Sequence, residues 1–439
     1  MTFANRSNTF LNQALQGITF VYQLVAVATF ITALFLANWW TSFPFIGAFY
    51  EHTMVFNGVV PSGPDSSWDL RNQGIKLGDQ LISVNGQAVH STVEVQRILS
   101  SFQPGDQIPV IVRSADGVQK TYNVTLNTFP LQDRITYYII PISLSLVFLV
   151  LSIWIFAIRR RETAGRAFAL FASSFSMGAG SLFDLYTTHS LTYFWTLSLA
   201  IGGGALVDLV LAFPQEAGFI VHRSYLRWAG YVIALILCGY AYTTLFNFAQ
   251  PTSYIPAWQY LYIFVGLSSL TYILFNVYYS IAAPSPVIKA QARTILTGAV
   301  FALGPLTIWL LGTLFHLFEF SPYLLIPIIF FPLTLGYTIL RFRFLRTDDW
   351  VRQGVIYVLL TVLIVGGYAL LVSGLSLIFK AAMPASNPIW VGGLVFVIAI
   401  SLDPLRVQVQ SFVDAAFFRG RRAYAENIQI FRQGGLVQI

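Results

Sequence analysis

Long apolar stretches separated by short polar breaks fill most of the chain after residue 134, and another precedes residue 41. A helix of about 20 apolar residues can cross the hydrocarbon core of a bilayer. The pattern predicts about ten such helices, at roughly 17–40, 134–158, 164–187, 190–213, 226–248, 258–282, 293–317, 322–341, 353–379 and 388–403. We therefore expect a polytopic α-helical membrane protein.

Residues 44–128, between the first two predicted helices, follow a different pattern. Asn85-Gly86 is a strong signal for a tight hairpin, because both turn positions tolerate positive φ. Asp116-Gly117 is expected to turn a strand at Ile108–Arg113 back onto a second strand at Val118–Leu126. Alternating apolar and polar residues in that second strand are typical of a half-buried strand.

A helix is expected at 92–102, within the same segment. Ser91 and Glu94 have the spacing of a capping box at its start. Apolar residues then share one helical face: Val95, Ile98, Leu99 and Phe102. We expect a small α+β domain inserted into the membrane bundle. The organisation would be an N-terminus and first helix at 1–43, the inserted domain at 44–128, a bundle of about nine helices at 129–404, and a juxtamembrane segment at 405–439.

Basic residues concentrate in alternate loops, and in membrane proteins such residues favour the cytoplasmic side. If the N-terminus is inside, 18 of the 25 Lys and Arg residues lie on cytoplasmic segments. They are Arg6, Arg159, Arg160, Arg161, Arg166, Arg223, Arg227, Lys289, Arg293, Arg341, Arg343, Arg346, Arg352, Arg406, Arg419, Arg421, Arg422 and Arg432. This distribution predicts a multi-pass protein of the plasma (inner) membrane with both termini cytoplasmic and the inserted domain extracytoplasmic.

Composition agrees with a membrane protein. Hydrophobic residues make up 56% of the 439 positions, charged residues 10%, and the mean hydropathy is +0.68. The net charge of +7 is spread over separate loops, so it reflects topology and we expect no nucleic-acid partner. The lone Cys238 excludes a framework of disulfides within the chain.

The inserted domain resembles a PDZ domain of the bacterial type found in envelope proteases. The resemblance rests on Gly74, Gly78-Asp79, the run Leu81–Gly86, the helix 92–102, Pro104-Gly105-Asp106 and the closing hairpin. One departure is Pro61–Gln73, which replaces the short Ala-rich helical segment usual in that family.

PDZ domains bind extended peptides by strand addition and capture the terminal carboxylate on backbone amides. The resemblance implies a carboxylate loop made of Phe45, Ile46, Gly47 and Ala48, and an accepting strand at about Phe49–Phe56. The opposing wall would be the helix that carries Val95, Ile98 and Leu99. Two alternatives remain: the chain itself occupies this edge, or Trp39, Trp40 and Phe43 hold it against the membrane, with the domain serving as a scaffold.

A second resemblance lies at the other end of the chain. Gly336–Thr361 resembles a juxtamembrane motif of multi-span bacterial sensor histidine kinases. Further similar positions are Phe213-Pro214, Gln291-Ala292-Arg293, Gly298 and the exit sequence from Asp403 to Arg419. The resemblance implies signal transmission through Arg341, Arg343, Asp348, Asp349, Arg352, Asp403, Arg406, Asp414 and Arg419. The basic members of this set equally suit simple anchors on the cytoplasmic face.

The catalytic parts of such kinases are not recognisable here. No Gly-rich ATP lid follows Arg419, and no histidine has the helical, acidic setting of a phosphoacceptor among His52, His90, His189, His222 and His316. The His-Glu-x-x-His motif of metalloproteases does not occur. We expect no enzyme activity, no metal and no cofactor.

Asp208 is the clearest ionisable residue inside a predicted span. Such residues are functional candidates, and this one could hydrogen-bond a neighbouring helix or line an ion path. Asp184, His189, His316 and Glu319 fall near the outer ends of spans, where we expect water to reach them.

The combined expectation is a sensory receptor. Its expected partners are an extracytoplasmic peptide or protein C-terminus, membrane lipid, a second copy in a homodimer, and a cytoplasmic signalling partner or output domain. The alternative is a scaffold or transporter-like protein whose PDZ-like domain recruits envelope proteins without signalling.

Overall fold

The computed structural model describes residues 2–62, 67–313, 322–332, 334, 335 and 338. The predicted ninth and tenth helices and the segment 405–439 lie outside these residues. So do all nine residues predicted to transmit a signal: Arg341, Arg343, Asp348, Asp349, Arg352, Asp403, Arg406, Asp414 and Arg419.

Seven helices in the described part are long and apolar enough to cross a membrane. They are Leu11–Trp40, Leu131–Arg159, Thr163–Tyr186, Thr192–Ala212, Tyr225–Thr244, Tyr254–Ala282 and Pro286–Gly312. Each coincides with one of the first seven predicted helices, so the protein is membrane-embedded. The largest difference is at the seventh, which begins at Pro286 because proline suits the first turn of a helix.

The α-helices follow one another along the chain as α1 (Thr2–Trp40), α2 (Asp69–Asn72), α3 (Thr92–Leu99), α4 (Leu131–Arg134), α5 (Ile140–Arg159), α6 (Thr163–Gly180), α7 (Leu182–Tyr186), α8 (Thr192–Ala212), α9 (Gly218–His222), α10 (Ala229–Thr244), α11 (Tyr254–Ala282) and α12 (Pro286–Gly312). One π-helical turn, Ile135–Ile139, joins α4 to α5, and Ser224–Trp228 is a 3-10 helix.

Helix α6 is the most buried of the seven long helices in the described residues, and small residues let α5 approach it closely. Ser145 Oγ donates to Ser176 O at 2.7 Å, and Ser152 Oγ donates to Ala169 O at 2.8 Å. Hydroxyls of this kind commonly join helices in membranes. The hydrogen-bonded α5–α6 pair also contacts the N-terminal helix α1, because Gln23 Nε2 donates to Ser152 Oγ at 2.9 Å.

The inserted domain contains one antiparallel four-stranded sheet. Its strands are β1 (Gln80–Val84), β2 (Gln87–Ala88), β3 (Gln107–Arg113) and β4 (Gln119–Thr125), in the order β2-β1-β3-β4. Asn85 and Gly86 both have positive φ, as expected for the hairpin. Helix α3 and alternate residues of the strands bury a single apolar core.

Two segments differ from expectation. The segment Phe49–Phe56 contains a tight turn instead of one continuous strand: the Glu51 amide donates to Val55 O, and Met54 has a φ of 62°. After the turn, Val55 pairs with Gln80 of β1. The predicted eighth span begins as a 3-10 helix, Pro322–Ile329, that contains Pro327. Proline has no amide hydrogen and obstructs the regular α-helical pattern.

Candidate functional site

Trp40, at the end of α1, is the hub of an aromatic cluster that joins the inserted domain to the bundle. Its ring centroid lies 5.9 Å from those of Phe45 and Phe49 in the inserted domain. It also lies 5.4 Å from Phe129 and 5.5 Å from Phe183 of α7. The contacts with Phe45, Phe129 and Phe183 are edge-to-face, and such contacts stabilise by about 0.5–1.5 kcal/mol beyond area burial. The neighbouring Trp39 is exposed, so only one of the two tryptophans serves this joint.

His189 connects the bundle to two separate parts of the inserted domain. It lies in the loop between α7 and α8, with a φ of 59°. One ring nitrogen, Nε2, is 2.8 Å from the Tyr50 carbonyl, and Nδ1 is 2.7 Å from the Thr92 hydroxyl. Tyr50 belongs to the segment expected to accept a peptide, and Thr92 begins the expected groove wall, α3. A single imidazole therefore ties both sides of the candidate groove to the bundle.

The two bonds define the protonation of His189. A carbonyl only accepts, so Nε2 carries the hydrogen, and Nδ1 then accepts from the Thr92 hydroxyl. Burial, reinforced by the nearby His52, lowers the pKa of His189 to about 3. The neutral imidazole is the form that this site holds.

The tight turn of the inserted domain makes two further contacts with the bundle. His52 Nε2 donates to Leu245 O at 2.5 Å, and Thr53 Oγ1 donates to Pro251 O at 2.8 Å. Burial lowers the pKa of His52 to about 4, so this ring is neutral too. Both acceptors lie in the connection between α10 and α11, so the turn contacts that loop as well as the α7–α8 loop.

The predicted groove residues surround a very small space. A cavity of about 10 Å³ is lined by Phe45, Ile46, Ala48, Val95 and Leu99, among others. That volume is about what one water molecule requires. Ile98 is also buried, in the core of the inserted domain. The loop and the helix wall thus meet, but in this conformation the space between them does not admit a peptide.

Gly47 shows why the predicted carboxylate loop is closely packed. Its φ is 82°, and an added Cβ would lie 2.3 Å from the Asp69 amide nitrogen. Its carbonyl accepts from the Arg71 amide at 3.0 Å. The loop therefore lies directly against the first turn of α2, in the segment where the sequence departs from the PDZ pattern.

Asp133 anchors the connection from the inserted domain back into the bundle. It is 1% exposed and accepts from the Trp68 indole and from the Ser62 amide, both at 2.7 Å. Because Trp68 is fully buried against Phe45 and Phe49, this carboxylate connects the start of the second span to the 45–48 loop.

Asp184 supports the loop that presents His189. It accepts from the Leu191 amide at 2.7 Å, the Ser190 amide at 3.2 Å and the Thr188 hydroxyl. Asp184 and His189 are 3% and 7% exposed, so the expectation that water reaches them is wrong. The inserted domain covers this end of the bundle and excludes water. His316 and Glu319 lie outside the described residues.

Asp208 lies at the opposite end of α8 and bonds with the start of the next span. Arg227 Nε approaches its Oδ1 at 3.3 Å, and the Tyr231 hydroxyl donates to Oδ2 at 3.4 Å. Arg227 also pairs with Glu216 at 3.2 Å. These contacts join α8 to α10 and the segment before it. Asp208 thus makes the hydrogen bond to a neighbouring helix that was one of its two expected roles.

Sequence reasoning missed the roles of Glu51, His52, Asp133 and Asp184, and gave His189 no contact. Their only signal was a polar residue beside an apolar segment, which does not identify a partner. The partners of His52 and His189 are 193 and 139 residues away, and those of Asp133 are 65 and 71 residues away. Across the described ranges, no three His, Cys, Asp or Glu side chains are grouped so as to hold a metal ion. No protein-family model and no curated protein sequence matches this chain.

Proposed function

We propose that the protein is a membrane receptor whose inserted domain is PDZ-like and recognises the C-terminus of an extracytoplasmic peptide or protein. The observation that carries the proposal is the position of His189, bonded at once to Tyr50 and Thr92 across the candidate groove. In a PDZ-like domain the bound peptide occupies the space between the corresponding strand and helix. His189 acts here as an internal occupant of the groove.

This arrangement couples binding to the bundle. A peptide that enters the groove must separate Tyr50 from α3, and both bonds to His189 are then lost. The loop that carries His189 connects two long apolar helices, so its release frees them to move. A ligand shifts a two-state equilibrium only if it binds one state better than the other. Here the open state alone has room for the peptide.

His189 in the groove also lowers the apparent affinity for the peptide. A ligand that binds only a minor state has its affinity reduced by the fraction of protein in that state. Two hydrogen bonds of about 0.5–1.5 kcal/mol each would hold the groove closed by about 1–3 kcal/mol. His189→Ala should therefore strengthen peptide binding by roughly 5- to 150-fold.

The test measures binding of a synthetic peptide that ends in a free leucine carboxylate to the full chain in lipid nanodiscs. His90→Ala is the matched control, since His90 is exposed in the inserted domain. Tighter binding by His189→Ala than by His90→Ala supports the proposal. Amidation of the peptide terminus should weaken binding by about 1.5–3 kcal/mol, the usual contribution of hydrogen bonds to a charged group. Equal binding of free and amidated peptides would contradict carboxylate capture.

From the receptor proposal we infer a cytoplasmic output through the juxtamembrane positions that resemble sensor histidine kinases, in a homodimer of the chain. The inserted domain would face outward, following the distribution of basic residues.

A further inference from the structure

A large cavity lies inside the bundle, separate from the candidate groove. Its volume is about 400 Å³, within the range of sites that hold small molecules. Helices α6, α8, α11 and α12 form most of its wall, and the tight turn of the inserted domain contributes Glu51. The wall is largely apolar, so a ligand with an apolar body fits it.

Glu51 is an unusual component of this wall. The residue is 5% exposed, and its Oε1 accepts from Asn57 Nδ2 at 3.1 Å. Its other oxygen, Oε2, is buried and has no hydrogen-bond partner among the described residues. A buried carboxylate without a partner is costly. The described residues that line the cavity include no Lys, Arg or His, and a ligand that carries an ammonium group would supply a cationic partner.

Aromatic side chains surround the same end of the cavity. The ring centroids of Tyr254 and Trp258 are 4.8 Å apart, and Trp258 lies 4.8 Å from Trp195. Tyr262 extends the group toward Trp309, with centroids 5.5 Å apart. The phenols of Tyr254 and Tyr262 lie within electrostatic range of Glu51. Aromatic faces beside a carboxylate form a favourable environment for an ammonium group.

We propose that this cavity binds an amphipathic amine, with its ammonium group at Glu51 and the aromatic side chains and its apolar body between α6, α8, α11 and α12. An alkyl alcohol of equal length would fill the same volume without supplying a charge. An alkyl carboxylate would meet Glu51 as a like charge. Glu51 also belongs to the segment proposed to accept a peptide, but binding of the amine requires no peptide and is measured without one.

Without such a ligand, burial determines the protonation of the Glu51 carboxyl. It raises the pKa of this carboxyl to about 8, so near neutral pH the group keeps its proton. An ammonium group would replace that proton as the positive partner. The carboxylate form then becomes stable inside the protein.

The test is saturation binding of tritiated octylamine to the full chain in nanodiscs, with empty nanodiscs subtracted for partition into lipid. Octanol and octanoate serve as competitors. We expect octylamine to compete at least about tenfold better than either, since charge-assisted contacts contribute more than neutral ones. Equal competition by octanol would overturn the ammonium assignment.

Three variants place the binding within the cavity. Glu51→Gln removes the charge at nearly constant shape and should weaken octylamine binding by about tenfold or more. Glu94→Gln, the same change in α3 of the inserted domain, should have no effect. Leu306→Trp adds bulk to the cavity wall and should abolish binding of both octylamine and octanol. Unchanged octylamine binding by Glu51→Gln or by Leu306→Trp would contradict the site.

Discussion

The imidazole of His189 donates to the carbonyl of Tyr50 at 2.8 Å, although 139 residues separate the two along the chain. The bond crosses from a loop between two long apolar helices to a turn of the inserted domain. Since His189 also accepts from Thr92, one side chain contacts both the Tyr50 segment and α3 of the inserted domain. His189 therefore joins that domain to the bundle at a point distant in sequence from the covalent links at 43 and 129.

The contact of the inserted domain with the bundle, here called docking, should weaken at both low and high pH. His189 and His52 have ordinary pKa values of 6.5 and docked values of about 3 and 4. Below pH 6.5 the undocked state binds protons that the docked state does not, so docking weakens as the pH falls toward 3. Glu51 has an ordinary pKa of 4.5 and a docked value of about 8, so docking weakens as the pH rises from 4.5 to 8. Between pH 4.5 and 6.5, a rise in pH strengthens docking through the two histidines and weakens it through the one carboxyl. These effects balance near pH 6.5, where docking should be strongest.

Spin labels at Ser101→Cys and Gln250→Cys, both exposed, measure this docking as a distance distribution in a Cys238→Ser background. The distribution should be narrowest near pH 6.5 and broaden at pH 4 and at pH 9. His189→Gln should reduce the acid change, and Glu51→Gln should remove the alkaline change. A distribution that is constant from pH 4 to 9 would contradict the neutral, buried state of these groups.

Gly47→Ala should destabilise the inserted domain more than Gly86→Ala does. Both glycines have positive φ, which costs about 1–2 kcal/mol for a residue with a Cβ. A Cβ at Gly86 has open space, whereas one at Gly47 would lie 2.3 Å from the Asp69 nitrogen. Thermal unfolding of the two variants measures the difference, and equal losses would argue against close packing of the 45–48 loop on α2.

Removing the carboxylate of Asp208 should cost more stability than removing that of Glu216, although both contact Arg227. Asp208→Ala leaves a largely buried Arg227 with one fewer partner, which costs about 1–3 kcal/mol. The Glu216 side chain is half exposed, and exposed pairs contribute about 0–1 kcal/mol. Thermal stability in nanodiscs distinguishes the two. A larger loss for Glu216→Ala would contradict the bridge between α8 and α10.

Membrane orientation is tested by cysteine labelling in a Cys238→Ser background. Ser101→Cys lies on the exposed surface of the inserted domain and should react with an impermeant maleimide in intact cells. Ser411→Cys should react only after permeabilisation, because the basic residues place its segment inside. The reverse labelling pattern would invert the orientation and remove the proposed direction of signalling.

Much of this fold follows from local pattern. Apolar length alone located the seven long helices, and Asn85-Gly86 with Ser91 and Glu94 located a hairpin and a helix start. Ser91 Oγ accepts from the Glu94 amide, although the Glu94 carboxylate bonds with the His90 amide. Such features are recognisable because their partners lie within a few residues.

The contacts of the site were not predictable in the same way. His189 and Asp184 each look like polar residues at a helix end, and exposure to water is the ordinary expectation there. Their burial depends on the inserted domain lying over the α7–α8 loop, which is a tertiary arrangement. The tight turn at Glu51–Met54 was not predictable for the same reason. Its sequence permits a strand, but in the turn His52 and Thr53 contact the α10–α11 loop, which is distant in sequence.

In the proposed receptor, a peptide in the groove changes the cytoplasmic end of the protein. Inter-subunit disulfide trapping measures this change, with single cysteines along 405–417 in full-length Cys238→Ser protein in membranes. Crosslinking should peak every three to four residues, as for paired helices. Adding the free-carboxylate peptide should change its phase or intensity, while the amidated peptide should not. A flat profile that ignores the peptide would contradict the receptor account and leave the scaffold or transporter-like alternative.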